Sequence, residues 1–262
     1  MIDTDLVRRA AAGDREALES LIEGIQDRVY GLALRMLWHP EDARDATQEI
    51  LLRVVTHLSS FRYESSFLTW VYRLATNALL NFRKSRLERE AYDFQRFGHE
   101  LDQGLSESPS IEKELLVEEI KIGCTLGMLT CLDRDHRLAY IIGEILEFDG
   151  PLAAEILEIS PATFRQRLSR ARKAVIEFTR RKCGIVNSNN SCHCERRVST
   201  ALETGRVDAS RLLFATTASH TRQALTEIQK LEETRRIGAI YRSHPEFRSP
   251  EDFRKLIREV TS

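Results

Sequence analysis

Between Ile159 and Lys182 the apolar residues Phe164, Leu168, Ala171, Val175 and Phe178 recur at intervals of four, three, four and three. Only an α-helix, with about 3.6 residues per turn, gathers such a set on one face. The same stretch, ISPATFRQRLSRARKAVIEFTRRK, carries eight Arg or Lys and one acid, Glu177, in a chain whose formal net charge is -1. At about 100° per residue, Ala162, Gln166, Ser169, Arg170 and Lys173 fall opposite the stripe. Arg165 and Arg172 flank one edge of that polar face, and Thr163 and Arg167 the other. Ser160 stands where an N-cap belongs and Pro161 at the first helical position, both strong start signals. The spacing therefore predicts a helix packed on one side and cationic on the other.

Just upstream, GPLAAEILEI reads as a short helix with Pro151 near its start, followed by a turn around Glu158. Two consecutive helices, the second one basic, form the helix-turn-helix pattern, whose second helix enters the major groove. Gln and Arg pair bidentately with adenine and guanine, while further Arg and Lys hold phosphates. Thr163, Arg165, Gln166, Ser169, Arg170, Arg172 and Lys173 are the candidate DNA-facing residues. The competing reading is an ordinary solvated charged face, which the caps and the preceding helix disfavour.

The rest of the chain is helical in pattern, with almost no strand-like alternation. Ala17, Leu21, Ile25, Val29 and Leu32 make one stripe, Gly13-Asp14 breaks the chain before it, and His39-Pro40 closes the helix. LTWVYRLATNALLNFRKSRLER reads as one long helix. Residues 93–113 lose the periodicity and read as a linker. Helical pattern returns at ELLVEEIKIGCTLGML and continues to about residue 182; further helices are expected near 218–243 and 250–260. The N-terminus is charged from the start and no apolar run reaches the roughly 18 residues of a membrane span, so a cytoplasmic chain with reduced thiols is expected.

Charge is unevenly placed. Residues 1–60 hold eleven acids against seven bases, and residues 61–90 hold six bases against three acids. Asp42, Asp45 and Glu49 share one helix face, while Ala43, Ala46, Ile50 and Val54 share another. Beyond them, aromatics interleave with bases: Phe61, Arg62, Tyr63, Phe67, Trp70, Tyr72, Arg73, Phe82, Arg83. Rings stack on unpaired bases and cations follow the backbone, so this mixture suits melted single strand. Some rings must instead be core, since Trp70 and Leu74 share a face.

The segment DARDATQEILLRVVTHLSSFRYESSFLTWVYRLATNALLNFRKS resembles the core of bacterial RNA polymerase sigma factors of the extracytoplasmic-function (ECF) subfamily. LVRRAAAGDREALESLIEGIQDRVYGLALRML is similar to that subfamily's opening helices, and EISPATFRQRLSRARKAV to its second-domain recognition motif, so the likeness covers roughly residues 5–182 in the expected order. It implies an all-α fold: a region 2 domain over 1–92, a linker over 93–115, a region 4 helix-turn-helix domain over 116–182, and a mostly helical C-terminal extension over 183–262. It implies no enzymatic activity; the partners are core RNA polymerase, promoter DNA as duplex and as melted strand, and an anti-sigma factor, with no membrane. Polymerase docking falls on Asp45, Gln48 and Glu49. Recognition of the minus-ten element falls on Phe61, Arg62, Tyr63, Phe67, Arg73, Asn77, Asn81 and Arg83, and that of the minus-thirty-five element on the α-helical face described above. Two positions depart from the family pattern. Glu158 stands where the turn usually has Gly, and Leu152 where a polar residue is usual.

The extension opens with CGIVNSNNSCHCERRV, which offers Cys183, Cys192, His193 and Cys194. Zn2+ on Cys183, Cys192 and Cys194, with a fourth ligand from His193, His220 or His244, is one reading; a thiol redox switch and incidental cysteines are the others. Cys124 and Cys131 sit in apolar helical context and read as core. A second functional class remains open on sequence alone: a stand-alone helix-turn-helix regulator with a C-terminal metal or redox sensor. An enzyme is disfavoured, because no paired nucleophile and base, Gly-rich phosphate loop or HExxH motif is present.

Overall fold

A computed structural model describes residues 2–103, 105, 114–215 and 227–260. The protein is all-α. Its helices are α1 (Thr4–Ala11), α2 (Arg15–Leu37), α3 (Pro40–His57), α4 (Phe67–Asn81), α5 (Arg86–Arg89), α6 (Phe94–Asp102), α7 (Glu114–Thr130), α8 (Arg134–Tyr140), α9 (Gly150–Ile156), α10 (Pro161–Lys182), α11 (Val198–Glu203), α12 (Glu233–Arg242) and α13 (Phe253–Val260). Single 3-10 turns follow α3 and precede α11, and a π-helical turn follows α8. Among the described residues no helix is long and apolar enough to cross a membrane. The chain forms two compact units: Met1–Lys84 with Phe148–Arg165 and Glu246–Ser262, and Ser85–Glu147 with Gln166–Pro245.

The first unit is built on α2. Its Leu21, Ile22, Ile25, Leu32, Leu34 and Met36 are fully buried, as is Ile50 of α3. Side chains decide where these helices begin. Asp14 accepts from the Ala17 N–H at 3.1 Å and holds Arg9 of α1, so the α1–α2 corner is capped and ion-paired at once. Gly13, at φ 92, turns that corner. Pro40 opens α3, and Ser66 caps α4 by accepting from the Thr69 N–H. The last segment of the chain packs on α2: Arg254 pairs with Glu23 at 3.0 Å, Arg258 with Glu19, and Phe247 receives the Arg35 guanidinium over its ring at 4.7 Å. The expected extension is thus shared: 183–245 belong to the second unit and 246–262 to the first.

In the second unit a buried ionic knot ties α5 to α8. Arg134 and Arg137 both bind the Glu88 carboxylate, at 2.8 and 3.0 Å. Arg137 is 1% exposed and also donates to the carbonyls of Leu129, Thr130 and Leu132, satisfying the C-terminal end of α7. Elsewhere Phe97 of α6 stacks on Phe178 of α10 with centroids 5.5 Å apart. Leu116, Val117 and Ile120 of α7 pack with Val198 and Ala201 of α11. Glu119 accepts three consecutive backbone N–H groups, from Leu213, Phe214 and Ala215.

Two elements differ from the sequence reading. The helix expected to run to Arg89 stops at Asn81, because Ser85 and Glu88 form a reciprocal capping box that starts α5 afresh: the Ser85 N–H donates to Glu88 at 3.0 Å and the Glu88 N–H to Ser85 at 3.2 Å. The expected linker opens with α6, which Asp93 caps through the Arg96 N–H. Its residues 104 and 106–113, like 216–226 of the expected extension helices, lie outside the described residues.

Burial pushes the Glu88 carboxyl up, but the hydrogen bond from Arg134 and the charge of Arg137 outweigh it and hold the pKa at about 2. A carboxylate lowered on folding stabilises the native state above its unfolded pKa, and that stabilisation is lost as pH falls through the folded value. Glu88→Gln should therefore lower stability at neutral pH by roughly 3–5 kcal/mol. It should also remove one component of the stability loss on acidifying from about pH 5 to about pH 2, read by thermal denaturation across that range.

Candidate nucleic-acid interface

The α10 stripe is buried along its length: Phe164 is 2% exposed, Ala171 1% and Val175 0%, with Leu168 and Phe178 also buried. Burying that side leaves Arg165, Gln166, Ser169, Arg170, Arg172 and Lys173 exposed to solvent. Ser160 caps the helix by accepting from the Thr163 N–H at 3.1 Å, and its hydroxyl meets the Thr163 hydroxyl at 2.8 Å, so Thr163 is bound to the cap. Arg172 donates to Glu144 at 2.6 Å, and Arg167 pairs with Asp135 at 3.0 Å. Gln166, Arg170 and Lys173 thus head the face left for a ligand. Upstream, Asp149 caps α9 through the Leu152 N–H. The turn between α9 and α10 places Glu158 at φ 52, the left-handed conformation that Gly adopts without cost and other residues at roughly 1 kcal/mol.

Four of the eight residues in the second candidate group, Phe61, Arg62, Arg73 and Asn77, line a cavity of about 290 Å³ in the first unit. Phe61, Arg62, Trp70, Arg73 and Asn77 form its walls, with Glu158 at one side. Phe61 is held by the ring of Phe67 at 5.6 Å and that of Trp70 at 5.4 Å. Phe61 and Phe67 are buried core residues, of which only Phe61 lines the cavity, whereas Tyr63, at φ 59, is 43% exposed. The Arg73 Nε is buried without a hydrogen-bond partner, an exception among buried donors. Asn77 donates to Glu158, and the neighbouring Thr76 hydroxyl donates to the Ile156 carbonyl at 3.2 Å. Asn81 bonds the Asn77 carbonyl at 2.8 Å, and neither it nor Arg83 lines the cavity. Trp70, which the sequence pattern placed with Leu74 on a core face, lines the cavity, as does Leu74.

Asp45, Gln48 and Glu49 lie on α3, at the surface of the first unit. Arg83 reaches α3 and pairs with Asp42 at 2.7 Å and with Asp45 at 3.4 Å; Arg44 meets Asp45 at 3.3 Å and Glu251 at 3.4 Å. Glu49 pairs with Arg53 one turn on. Arg83 therefore joins the acidic face rather than the cavity.

Among the described residues, no three His, Cys, Asp or Glu side chains converge as a metal-holding group. Cys183, Cys192 and Cys194 nevertheless line one small cavity of the second unit. His244 is bound to the Thr125 hydroxyl at 3.0 Å, the His193 ring lies over Gly184, and His220 lies outside the described residues.

Residues 21–89 match the sigma-70 region 2 family. The chain is 30% identical over 179 residues to the RNA polymerase sigma-H factor of Pseudomonas aeruginosa, a match covering 66% of this chain and 91% of that protein. This chain is an ECF-type RNA polymerase sigma factor. It is also 29% identical over 184 residues to the ECF sigma-E factor of Escherichia coli K12, covering 67% of this chain and 93% of that one. The sigma-E factor of Haemophilus influenzae is 28% identical over 181 residues. Sigma factors bind core RNA polymerase and promoter DNA, direct initiation without chemistry of their own, and generally need no cofactor. The stand-alone regulator is not favoured.

If Arg170 and Lys173 hold phosphates, each change to Ala should weaken duplex binding about equally on every promoter. It should also lower the slope of log affinity against log salt by about one, measured by filter binding of the holoenzyme over a salt series.

Proposed function

We propose that this sigma factor divides promoter recognition between the cationic face of α10 and the cavity beside α4. The face carrying Thr163, Arg165, Gln166, Ser169, Arg170, Arg172 and Lys173 engages minus-thirty-five duplex. Gln166 and Arg165, near the helix start, are the base readers, with the later cations on phosphates. The loop from Phe61 to Phe67 and α4 engage the minus-ten element. There the cavity takes one extruded base: Trp70 and Phe61 offer apolar ring surface, while Arg73 and Asn77 offer donors to its polar edge. Tyr63 and Arg62, exposed at the rim, meet the adjoining strand.

The observation that carries this reading is the buried, unpartnered Arg73 Nε beside a ring-lined cavity. Protein interiors satisfy most such donors, and this one belongs to a residue of the cavity wall, which supports Arg73 as a group that turns to a bound base. Asn77 is occupied by Glu158, and taking a base would require it to exchange that acceptor for the base edge. Asp45, Gln48 and Glu49 dock the polymerase, and the ion pairs of Asp45 and Glu49 with Arg44, Arg53 and Arg83 would be exchanged for basic groups of the partner. The protein works in the cytoplasm, with an anti-sigma factor as a further partner. Residues 183–262 act as a regulatory module whose Cys183, Cys192 and Cys194 take Zn2+.

Run-off transcription with core polymerase tests the reading. The full chain should direct a discrete transcript, and deleting 183–262 should change its amount without moving its start. Failure to produce any discrete transcript, together with failure to co-purify with core enzyme, would contradict it. Tyr63→Ala and Trp70→Ala should each reduce affinity for single-stranded minus-ten DNA by roughly 1–3 kcal/mol while leaving binding of minus-thirty-five duplex unchanged, measured by fluorescence anisotropy of the holoenzyme.

A further inference from the structure

Cys124 of α7 shares a cavity with all three cysteines of the extension. The second unit encloses a space of about 30 Å³ whose wall includes Cys124, Cys183, Cys192 and Cys194 together with Lys121 and Arg197. The four thiols come from three separate parts of the chain: α7, the residue following α10, and the 192–194 loop. The remaining thiol, Cys131, is not in that wall and points instead to the Gly127 carbonyl of its own helix. All five cysteines are free thiols.

Hydrogen-bond donors lie against two of these sulfurs. Cys183 and Cys192 form an isolated parallel bridge, in which the Gly184 N–H donates to the Cys192 carbonyl at 2.9 Å. A Cβ at Gly184 would come within 2.6 Å of the His193 ring, so that ring closes the turn over a glycine and His193 cannot also face the cavity. Two amides, those of Ile185 and Val186, donate to the Cys183 sulfur. The Arg197 guanidinium, itself buried, donates to the Cys192 sulfur at 3.1 Å. On Cys183 the two amides favour thiolate over thiol. Against this, burial pushes the thiols of Cys124, Cys183 and Cys194 up, and each would be raised further by a charged neighbour. Four sulfurs from three parts of the chain on one cavity wall are the donor set of a tetrahedral sulfur site.

The geometry points to a four-thiolate site for a soft divalent d10 cation, Zn2+ in class, in which Cys124 is the fourth ligand in place of any histidine. It deepens the zinc reading of the extension and rests on it. Binding replaces the thiol protons: four S–H groups and one M2+ give a tetrahedral MS4 group of net charge -2 and release four protons. Arg197 and the two amides on Cys183 offset that charge. As placed, the side chains do not converge on one point, so binding requires the thiols to turn about their Cα–Cβ bonds into the cavity. Closing the site would join α7 to the end of α10, the helix that carries the duplex-facing cations.

The test uses the full chain, reduced, stripped with a chelator and titrated with Co2+ as a spectroscopic probe. One Co2+ per chain is expected, with the intense thiolate-to-metal absorption of a tetrahedral sulfur site, complete displacement by Zn2+, release of about four protons per metal below the thiol range, and an affinity that grows with pH there. Cys124→Ser should weaken Co2+ binding at least about ten-fold. Cys131→Ser should leave it unchanged. Cys124→His restores a ligand, so it should bind with a weaker sulfur band and keeps the test decisive if Cys124→Ser does not fold. A wild-type chain that binds no Co2+, or whose four cysteines are isolated as disulfides, overturns both the site and the zinc reading. A Cys124→Ser or Cys124→His chain with wild-type affinity and spectrum overturns the fourth ligand alone. Neither result bears on run-off transcription, which tests promoter recognition separately.

Discussion

One-sided burial of α10 is the constraint on which the proposed DNA-binding arrangement depends. A helix whose apolar residues recur at four and three has one face it must hide, and each of those residues is buried. Hiding it leaves a single rotational setting, with Gln166, Arg170 and Lys173 outward. Specificity on DNA needs side chains held in register with base edges, and a helix free to rotate could not supply that. The cap from Ser160 fixes where the helix begins, and so which residues occupy the N-terminal turns that the proposal sends into a groove. Phe178, stacked on Phe97, ties the far end into the second unit.

Much of this was legible in the residues themselves. Periodicity located α2, α3, α4, α7 and α10, because each buries a continuous stripe. The positive φ at Glu158 follows from a turn that normally takes Gly. Other features depend on residues far apart in sequence. The break after Asn81 has a local signature, Ser85 and Glu88 at capping-box spacing, yet Glu88 also serves Arg134 and Arg137, about fifty positions on. The helix inside the expected linker rests on ring contacts between Phe94, Phe97 and Phe178, which no local pattern announces. Among the aromatics the pattern could not separate core from surface. Phe61 and Phe67 are buried because they pack on each other and on Trp70, while Tyr63 is turned out by a left-handed backbone. Cys124 read as core for the same reason: its neighbours in sequence are apolar, and its neighbours in space come from residues 183–194.

The two proposed binding regions differ in how ready they are. The α10 face is exposed and needs only to shed solvent and the Glu144 contact of Arg172. At the cavity, Asn77 already holds Glu158, a residue kept at strained φ. Release of that contact would free both the amide and the turn, linking occupancy of the cavity to the segment that starts α10. The acidic face of α3 is similarly engaged, with Arg83, Arg44 and Arg53 on its carboxylates. Such exposed pairs contribute little stability and exchange readily for a partner's cations.

The central claim is that α10 contacts duplex while the Phe61–Phe67 loop contacts melted strand. Site-specific photocrosslinking of one open complex tests it most directly, with the photoreactive residue placed at Gln166 or at Tyr63. The account predicts that position 166 attaches to double-stranded DNA around the minus-thirty-five element, and that position 63 attaches to unpaired bases of the minus-ten element. Attachment of position 166 to the melted strand, or of position 63 only to upstream duplex, would contradict it.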